Sequence, residues 1–240
     1  MFRSLATVVA LALFASPLSG CTGDDPDPLP ARISALLDRD ADAQQAAIEA
    51  RIRAVPAVTS VTFVSREAAW ERFKQQFADA PDLIAGTKPD SLPASFEATV
   101  ADGSVAEAVA LVIGTFDGIT DTTLRNGDGD VTKYEQIGVL VPLKSGVTDG
   151  QRAAVEQLIR GLPRTASIRY ETGEQTKARL LQRCKGKGDL AASLEKVDAS
   201  EIPASFRFRI GLHGGKIPQL ADLQRLDGVE AMLFVPVEVI

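Results

Sequence analysis

The sequence predicts an α+β protein made of two tandem ferredoxin-like βαββαβ sandwiches, each with a helical insert between its second and third strands. Two observations predict this fold class. Segments of the first half of the 240-residue chain recur in register in the second half, and both halves show the same order of strand-like and helix-like patterns. Each copy spans about 110 residues, which is enough for a hydrophobic core of its own.

The duplication rests on three pairs of matching segments. They are 44–56 (QQAAIEARIRAVP) with 151–163 (QRAAVEQLIRGLP), 93–96 with 203–206 (both PASF), and 117–119 (DGI) with 227–229 (DGV). The first pair is offset by 107 residues and the other two by 110. Matches that keep their register this far apart predict two homologous domains, at residues 32–125 and 137–240, joined by a hinge at 126–136.

The first copy begins with a short apolar strand at 33–37 and a helix at 42–55, whose apolar residues follow helical spacing. The β-branched run 58–64 (VTSVTFV) predicts the second strand. Ser65 is then placed to cap a helix that runs through Phe77.

An irregular segment follows this helix, and Pro93 opens the third strand because the residue before a proline favours extended backbone. The strand alternates, with Phe96, Ala98 and Val100 on one face and Glu97 and Thr99 on the other. A helix at 104–115 and a strand at 119–124 complete the first unit.

The second copy repeats this order. It predicts strands at 137–141, 166–170, 206–210 and 229–237, and helices at 149–161, 175–184 and 216–226. Two helix starts carry the spacing of a capping box, Thr148 with Gln151 and Thr172 with Gln175. Because apolar residues alternate with Arg207 and Arg209 in the third strand, we predict that one face of this sheet contacts solvent.

The insert of the first copy carries the strongest candidate site. Trp70, Phe73 and Phe77 share one helix face, and Leu83 and Ile84 follow in the next segment. These residues could form a small satellite core, or an exposed patch that binds a protein partner, because Trp and Phe dominate interface hot spots. The second copy has Lys177 in place of Trp70, so the first insert is the better candidate.

The first residues of the chain predict export. Arg3 precedes a 14-residue apolar run, shorter than the roughly 20 residues that span a bilayer, and the segment closes on Leu-Ser-Gly-Cys21. It resembles a bacterial lipoprotein signal, with residues 1–20 removed and Cys21 lipidated; an ordinary signal peptide or an uncleaved anchor is the alternative. We expect a Pro/Asp-rich spacer at 21–31 and a protein held on the extracytoplasmic face of the cell membrane through Cys21 only.

Lipidation of Cys21 leaves Cys184 without an intrachain partner. At the offset of 107, Cys184 corresponds to Phe77, so we predict a small buried hydrophobe rather than a reactive thiol.

Composition argues against several classes of function. A formal net charge of −6 does not suit nucleic-acid binding, and one His with two Cys offers little for a metal site or a His-based triad. His213 is expected to be a turn residue. In the hinge, Asn126-Gly127-Asp128-Gly129-Asp130 alternates oxygen ligands, but Val131 and Ile137 stand where an EF-hand needs Gly and Glu. We therefore expect no catalytic residues, no metal, no cofactor and no enzymatic activity.

Several of these residues carry a family resemblance. Ser65, Ala68, Phe73 and the Leu-Pro-Ala-Ser-Phe of 92–96 resemble the extracellular domain of FtsX, the permease-like subunit of the bacterial cell-division complex FtsEX. The second copy matches less fully, at Thr172, Leu180 and 202–206. FtsX is a polytopic membrane protein coupled to an ATPase, whereas no run after the leader is long and apolar enough to span a bilayer, so ATP-driven gating is not expected here.

The resemblance implies a module that binds peptidoglycan hydrolases or their adaptors through apolar residues of the inserted lobe. Those residues would be Trp70, Phe73, Phe77, Leu83 and Ile84. The leading hypothesis is thus a lipid-anchored envelope protein that works by protein contact in division or wall remodelling. The alternative is a solute-binding lipoprotein with a ligand cleft between the two domains.

Overall fold

The computed structural model describes residues 30–127, 134–212 and 218–240. The first domain contains β1 (Ala31–Leu37), α1 (Gln45–Arg53), β2 (Val58–Val64), α2 (Arg66–Gln76), α3 (Pro81–Gly86), β3 (Ser95–Val100), α4 (Ala106–Gly114) and β4 (Ile119–Asn126). The second contains β5 (Gln136–Pro142), α5 (Asp149–Gly161), β6 (Thr165–Glu171), α6 (Gly173–Arg183), α7 (Gly188–Glu195), β7 (Ser205–Gly211), α8 (Pro218–Arg225) and β8 (Leu233–Val235). Short 3-10 helices lie at Arg39–Gln44, Pro89–Ser91, Gly103–Val105, Ala199–Glu201 and Val237–Val239.

Each domain has one four-stranded antiparallel sheet. The strand order is β2-β3-β1-β4 in the first and β6-β7-β5-β8 in the second. With one helix after each of the first and third strands, this is the ferredoxin-like arrangement, and two further helices form an insert between the second and third strands. The predicted fold class is confirmed in both copies.

Local sequence signals explain where the helices begin. The Ser65 hydroxyl accepts a hydrogen bond from the backbone N–H of Ala68, so α2 starts where the sequence predicted. Both predicted capping boxes are present, Thr148 with Gln151 at α5 and Thr172 with Gln175 at α6. Each box satisfies backbone N–H groups that a helix start leaves without partners.

The apolar face of each sheet is covered by the two helices of the βαββαβ unit. In the first domain Phe96, Ala98 and Val100 of β3 are fully buried in a core that includes α1 and α4. In the second domain Phe206 and Phe208 of β7 are buried with residues of α5 and α8. In β3 the alternation of the sequence is also an alternation of burial, whereas in β7 it holds only for the apolar positions.

Two predictions about the second domain are wrong. Arg207 was expected on a solvent-facing side of the sheet, but only 1% of it is exposed, because helix α4 of the first domain lies over that side. The last strand was expected over 229–237 and is limited to Leu233–Val235. Val229 forms only an isolated bridge with Leu143, and Pro236, which has no N–H to donate, leads into a 3-10 turn.

Some expectations fall outside the described residues. These are the signal peptide at 1–20, lipidation of Cys21 and nearly all of the spacer, the central part of the hinge at 128–133, and His213. Within the described ranges, no helix has both the length and the apolar character needed to cross a membrane.

Candidate functional site: two insert lobes, one filled and one open

Helix α4 of the first domain is shared by both domains. Every residue of this helix except Leu111 and Gly114 is buried, including the charged Glu107. The helix packs on β1 and β4 of its own sheet and on α7 of the second domain's insert. One apolar cluster therefore runs from the first sheet, through α4, into the second insert.

Glu107 is the polar centre of this interface. Its carboxylate accepts hydrogen bonds from both terminal nitrogens of Arg207 and from Nη2 of Arg179, the last at 2.9 Å. Burial alone would raise the pKa of Glu107, but attraction and hydrogen bonding by Arg207 and Arg179 outweigh burial and hold that pKa below its ordinary value. Glu107 is therefore a buried carboxylate ion held between two arginines of the other domain.

Glu171 holds the two arginines in place. Its carboxylate accepts hydrogen bonds from Nε of Arg179 at 3.0 and 2.9 Å, and its Oε2 lies 2.9 Å from Nε of Arg207. Thr176 donates to the same carboxylate at 3.2 Å and accepts from Arg207 at 3.3 Å. Two carboxylates and two guanidinium groups thus balance their charges inside the interface.

The insert of the second domain is closed. Leu180, Cys184, Leu190 and Leu194 are all fully buried in the cluster that contains α4. The amino group of Lys177 donates hydrogen bonds to the backbone carbonyl of Glu195 at 2.9 Å and to that of Val197. It therefore caps the carboxyl end of α7. Burial raises the pKa of the Cys184 thiol, as expected for the small buried hydrophobe that the repeat predicted.

The insert of the first domain differs, because no residue of α2 or α3 is buried. Trp70 and Phe73 stack with ring centroids 5.6 Å apart, and Phe73 meets Phe77 at 4.8 Å. We call these three side chains the aromatic row. All three are half-buried, Ile84 is half-buried as well, and Leu83 is 45% exposed. The structure thus brings the aromatic residues together without burying them fully.

A groove of about 640 Å³ lies between α2 and the open face of the first sheet. Its sheet side is polar and carries Arg32, Glu97 and Arg125, while α2 contributes Arg72 and Phe73. The sequence predicted Phe73 as a site residue, but it did not predict the groove that Phe73 lines. Two features of the sequence could have indicated the groove. One is the polar set of residues on β3, and the other is Arg72, which follows Trp70 by two residues and therefore lies on a different side of α2 from Trp70.

A second cavity of about 890 Å³ lies between the domains, beside α4. Its polar lining includes Glu107 and Arg207, which are already paired with each other. In the described part of the chain no cluster of His, Cys, Asp and Glu side chains has the arrangement of a metal site.

The fold defines a protein made of two homologous α+β domains, each with a helical insert. Residues 30–127 and 136–232 each match the family model of the FtsX extracellular domain. The chain therefore belongs to the FtsX extracellular domain family, a class of non-catalytic, division-related modules that lie outside the cytoplasm. A comparison with curated proteins found no match.

Proposed function

We propose that this protein is a lipid-anchored, non-enzymatic envelope module that binds a peptidoglycan hydrolase, or the adaptor of one, during division or wall remodelling. The contact surface is the aromatic row with Leu83 and Ile84. Lipidation of Cys21 holds the module at the extracytoplasmic face of the membrane, within reach of enzymes that work on the wall.

One observation carries the proposal: equivalent positions of the two inserts have different burial. Phe73 corresponds to Leu180 and Phe77 to Cys184, and both second-domain residues are fully buried while both first-domain residues are half-buried. The first insert therefore keeps apolar area that a partner could remove from water. Stacked aromatic side chains at a partly covered surface are also the residue types that supply most of the free energy in protein interfaces.

Affinity capture of partners with the W70A/F73A double variant tests the proposal. We expect the wild-type protein to copurify with a peptidoglycan hydrolase or its adaptor, identified by mass spectrometry, and the double variant to lose it. The matched control is R160E, a charge reversal on the exposed side of α5 in the other domain, which should retain the partner. Circular dichroism should be unchanged in both variants. Retention of the same partner by folded W70A/F73A would refute the assigned surface.

The solute-binding alternative needs polar groups that are free to meet a ligand in the cleft between the domains. The charged residues at the centre of the described interface pair with one another instead. The cavity of about 890 Å³ between the domains is in favour of that alternative, but Glu107 and Arg207 on its lining are already paired, so the protein-binding function is the one we propose.

A further inference from the structure

The groove beside α2 has a counterpart in the second domain, and that counterpart is occupied. At the offset of 107, Arg72 corresponds to Arg179 and Phe73 to Leu180; at 110, Glu97 corresponds to Arg207. In the second domain these positions meet α4: Arg179 and Arg207 bind Glu107, and Leu180 lies in the apolar cluster of α4. The same surface of the fold therefore already holds a helix once in this molecule.

The occupied groove shows which helix features suit this surface. Ala110 lies one turn after Glu107 on the same side of α4, Ala106 and Ala108 lie on the flanking sides, and small side chains such as these allow the helix backbone to come close. Glu107 supplies the one carboxylate of α4 that Arg179 and Arg207 bind. The pattern is a helix with small apolar residues and one acidic anchor.

The open groove of the first domain has a positive excess. Arg32 and Arg72 form no ion pair and no side-chain hydrogen bond with any described residue, while Glu97 already lies 3.5 Å from Arg125. Asn126 also lines the groove, is only 3% exposed, and has no partner for either side-chain amide atom among the described residues. An acidic occupant would meet the unpaired cations of Arg32 and Arg72.

We infer that this groove binds an α-helix of a partner protein, lined with small apolar residues and carrying a carboxylate that reaches Arg72. This groove is a second partner surface, on the sheet side of the insert. Its assignment rests on the proposed function, which supplies the partner. The segment of the partner that contacts the groove is then an α-helix.

In a second copy of this chain, the two helices at the equivalent place of the repeat, α4 and α8, do not supply such a helix. Helix α4 is already buried between its own two domains. Its equivalent in the repeat, α8, exposes Ala221, Asp222, Gln224 and Arg225, and the carboxylate of Asp222 lies 3.4 Å from Arg225 of the same helix. We therefore assign the groove to a helix of another protein, and self-association of the purified chain that R72E abolishes would overturn this assignment.

The chain's own helix provides a probe. We would synthesise residues 102–116 (DGSVAEAVALVIGTF) with a neutral polyethylene glycol tail and titrate this peptide into the purified full chain. Trp70 is the only tryptophan of the protein and lies on α2, so its fluorescence reports occupancy of the first insert. We expect a saturable change in that fluorescence, and at least tenfold weaker binding to R72E.

Charge reversal on both sides decides whether Arg72 is the anchor. The peptide with Glu107→Lys should bind the wild-type chain at least tenfold more weakly, and should bind R72E more tightly than it binds the wild type. The control R160E should bind the original peptide as the wild type does. Absence of saturable binding to the folded wild-type chain, or equal affinity for R72E, would overturn the inference.

This result is separable from the test of the proposed function. If R72E abolishes peptide binding while the chain fails to capture a wall hydrolase or adaptor, the helix-binding groove is supported and the proposed class of partner is refuted. If a hydrolase is captured through the aromatic row but the peptide does not bind, the proposed function is supported and helix binding in the groove is refuted.

Discussion

Glu107 of α4 and Arg207 of β7 form a buried ion pair across the boundary between the two domains, with the Nη2 and Nη1 atoms of Arg207 at 2.5 and 2.9 Å from Oε1 and Oε2. Arg207 is 1% exposed and Glu107 is 7% exposed. The pair ties the helix of one repeat to the sheet of the other. The insert of the second repeat is therefore buried against helix α4 of the first repeat. The insert of the first repeat has no such cover, and no residue of α2 or α3 is buried.

Removing one partner of this pair should be costly. E107Q leaves two buried arginines, Arg179 and Arg207, to share the carboxylate of Glu171, and we expect it to lower the free energy of unfolding by about 3–5 kcal/mol. The matched control is E156Q, which breaks the exposed Glu156–Arg160 pair on α5 and should cost less than about 1 kcal/mol. Urea denaturation measures both. Equal effects of the two substitutions would show that the interface is not held by Glu107.

The same carboxylate predicts a dependence on pH. Because the folded-state pKa of Glu107 lies below its ordinary value of 4.5, its contribution to stability is complete above that pH and is lost as pH falls toward the folded-state pKa. The difference in unfolding free energy between wild type and E107Q should therefore be constant near neutral pH and shrink below about pH 4.5. A difference that stays constant throughout the acid range would contradict the assignment.

Equivalent positions in the two inserts should differ in their effect on stability. L180A removes a fully buried side chain, and we expect a loss of about 2–5 kcal/mol. F73A removes a half-buried ring from an uncovered surface and should cost less than about 1.5 kcal/mol. Thermal and urea unfolding of the two variants provide the comparison. If F73A destabilises as strongly as L180A, the aromatic row is a core and not a binding surface.

The thiol of Cys184 should report separation of the domains. It is fully buried in the cluster that contains α4, and burial raises its pKa, so we expect it to react with an aromatic disulfide reagent only after local opening. Reaction should be at least tenfold slower in the folded wild type than in urea, and E107Q should accelerate it. A fast reaction in the folded wild type would indicate that the second insert is open.

Much of the fold could be predicted because the deciding signals are local. The β-branched run of β2 begins and ends where the sequence predicted, and both capping boxes are present. Within each copy, alternation of apolar residues identified the buried face of the third strand.

The shared interface could not be predicted in the same way, because it depends on contacts between residues 100 positions apart. In the sequence, Glu107 looks like an ordinary solvated residue of a helix. Arg207 looks like a residue on the polar side of an alternating strand. Each is buried only because the other domain covers it. The one available signal was the composition of α4 (AEAVALVIG), since a helix that is apolar on all sides is usually buried on all sides.

Site-specific photo-crosslinking in cells tests most directly whether the first insert is the partner surface and the second is internally filled. A photoreactive phenylalanine at position 73 should form an adduct containing a peptidoglycan hydrolase or its adaptor. The same group at the exposed position 160, on α5, should not form that adduct. Absence of the adduct from position 73 in a folded, exported protein, or equal crosslinking from position 160, would contradict the account.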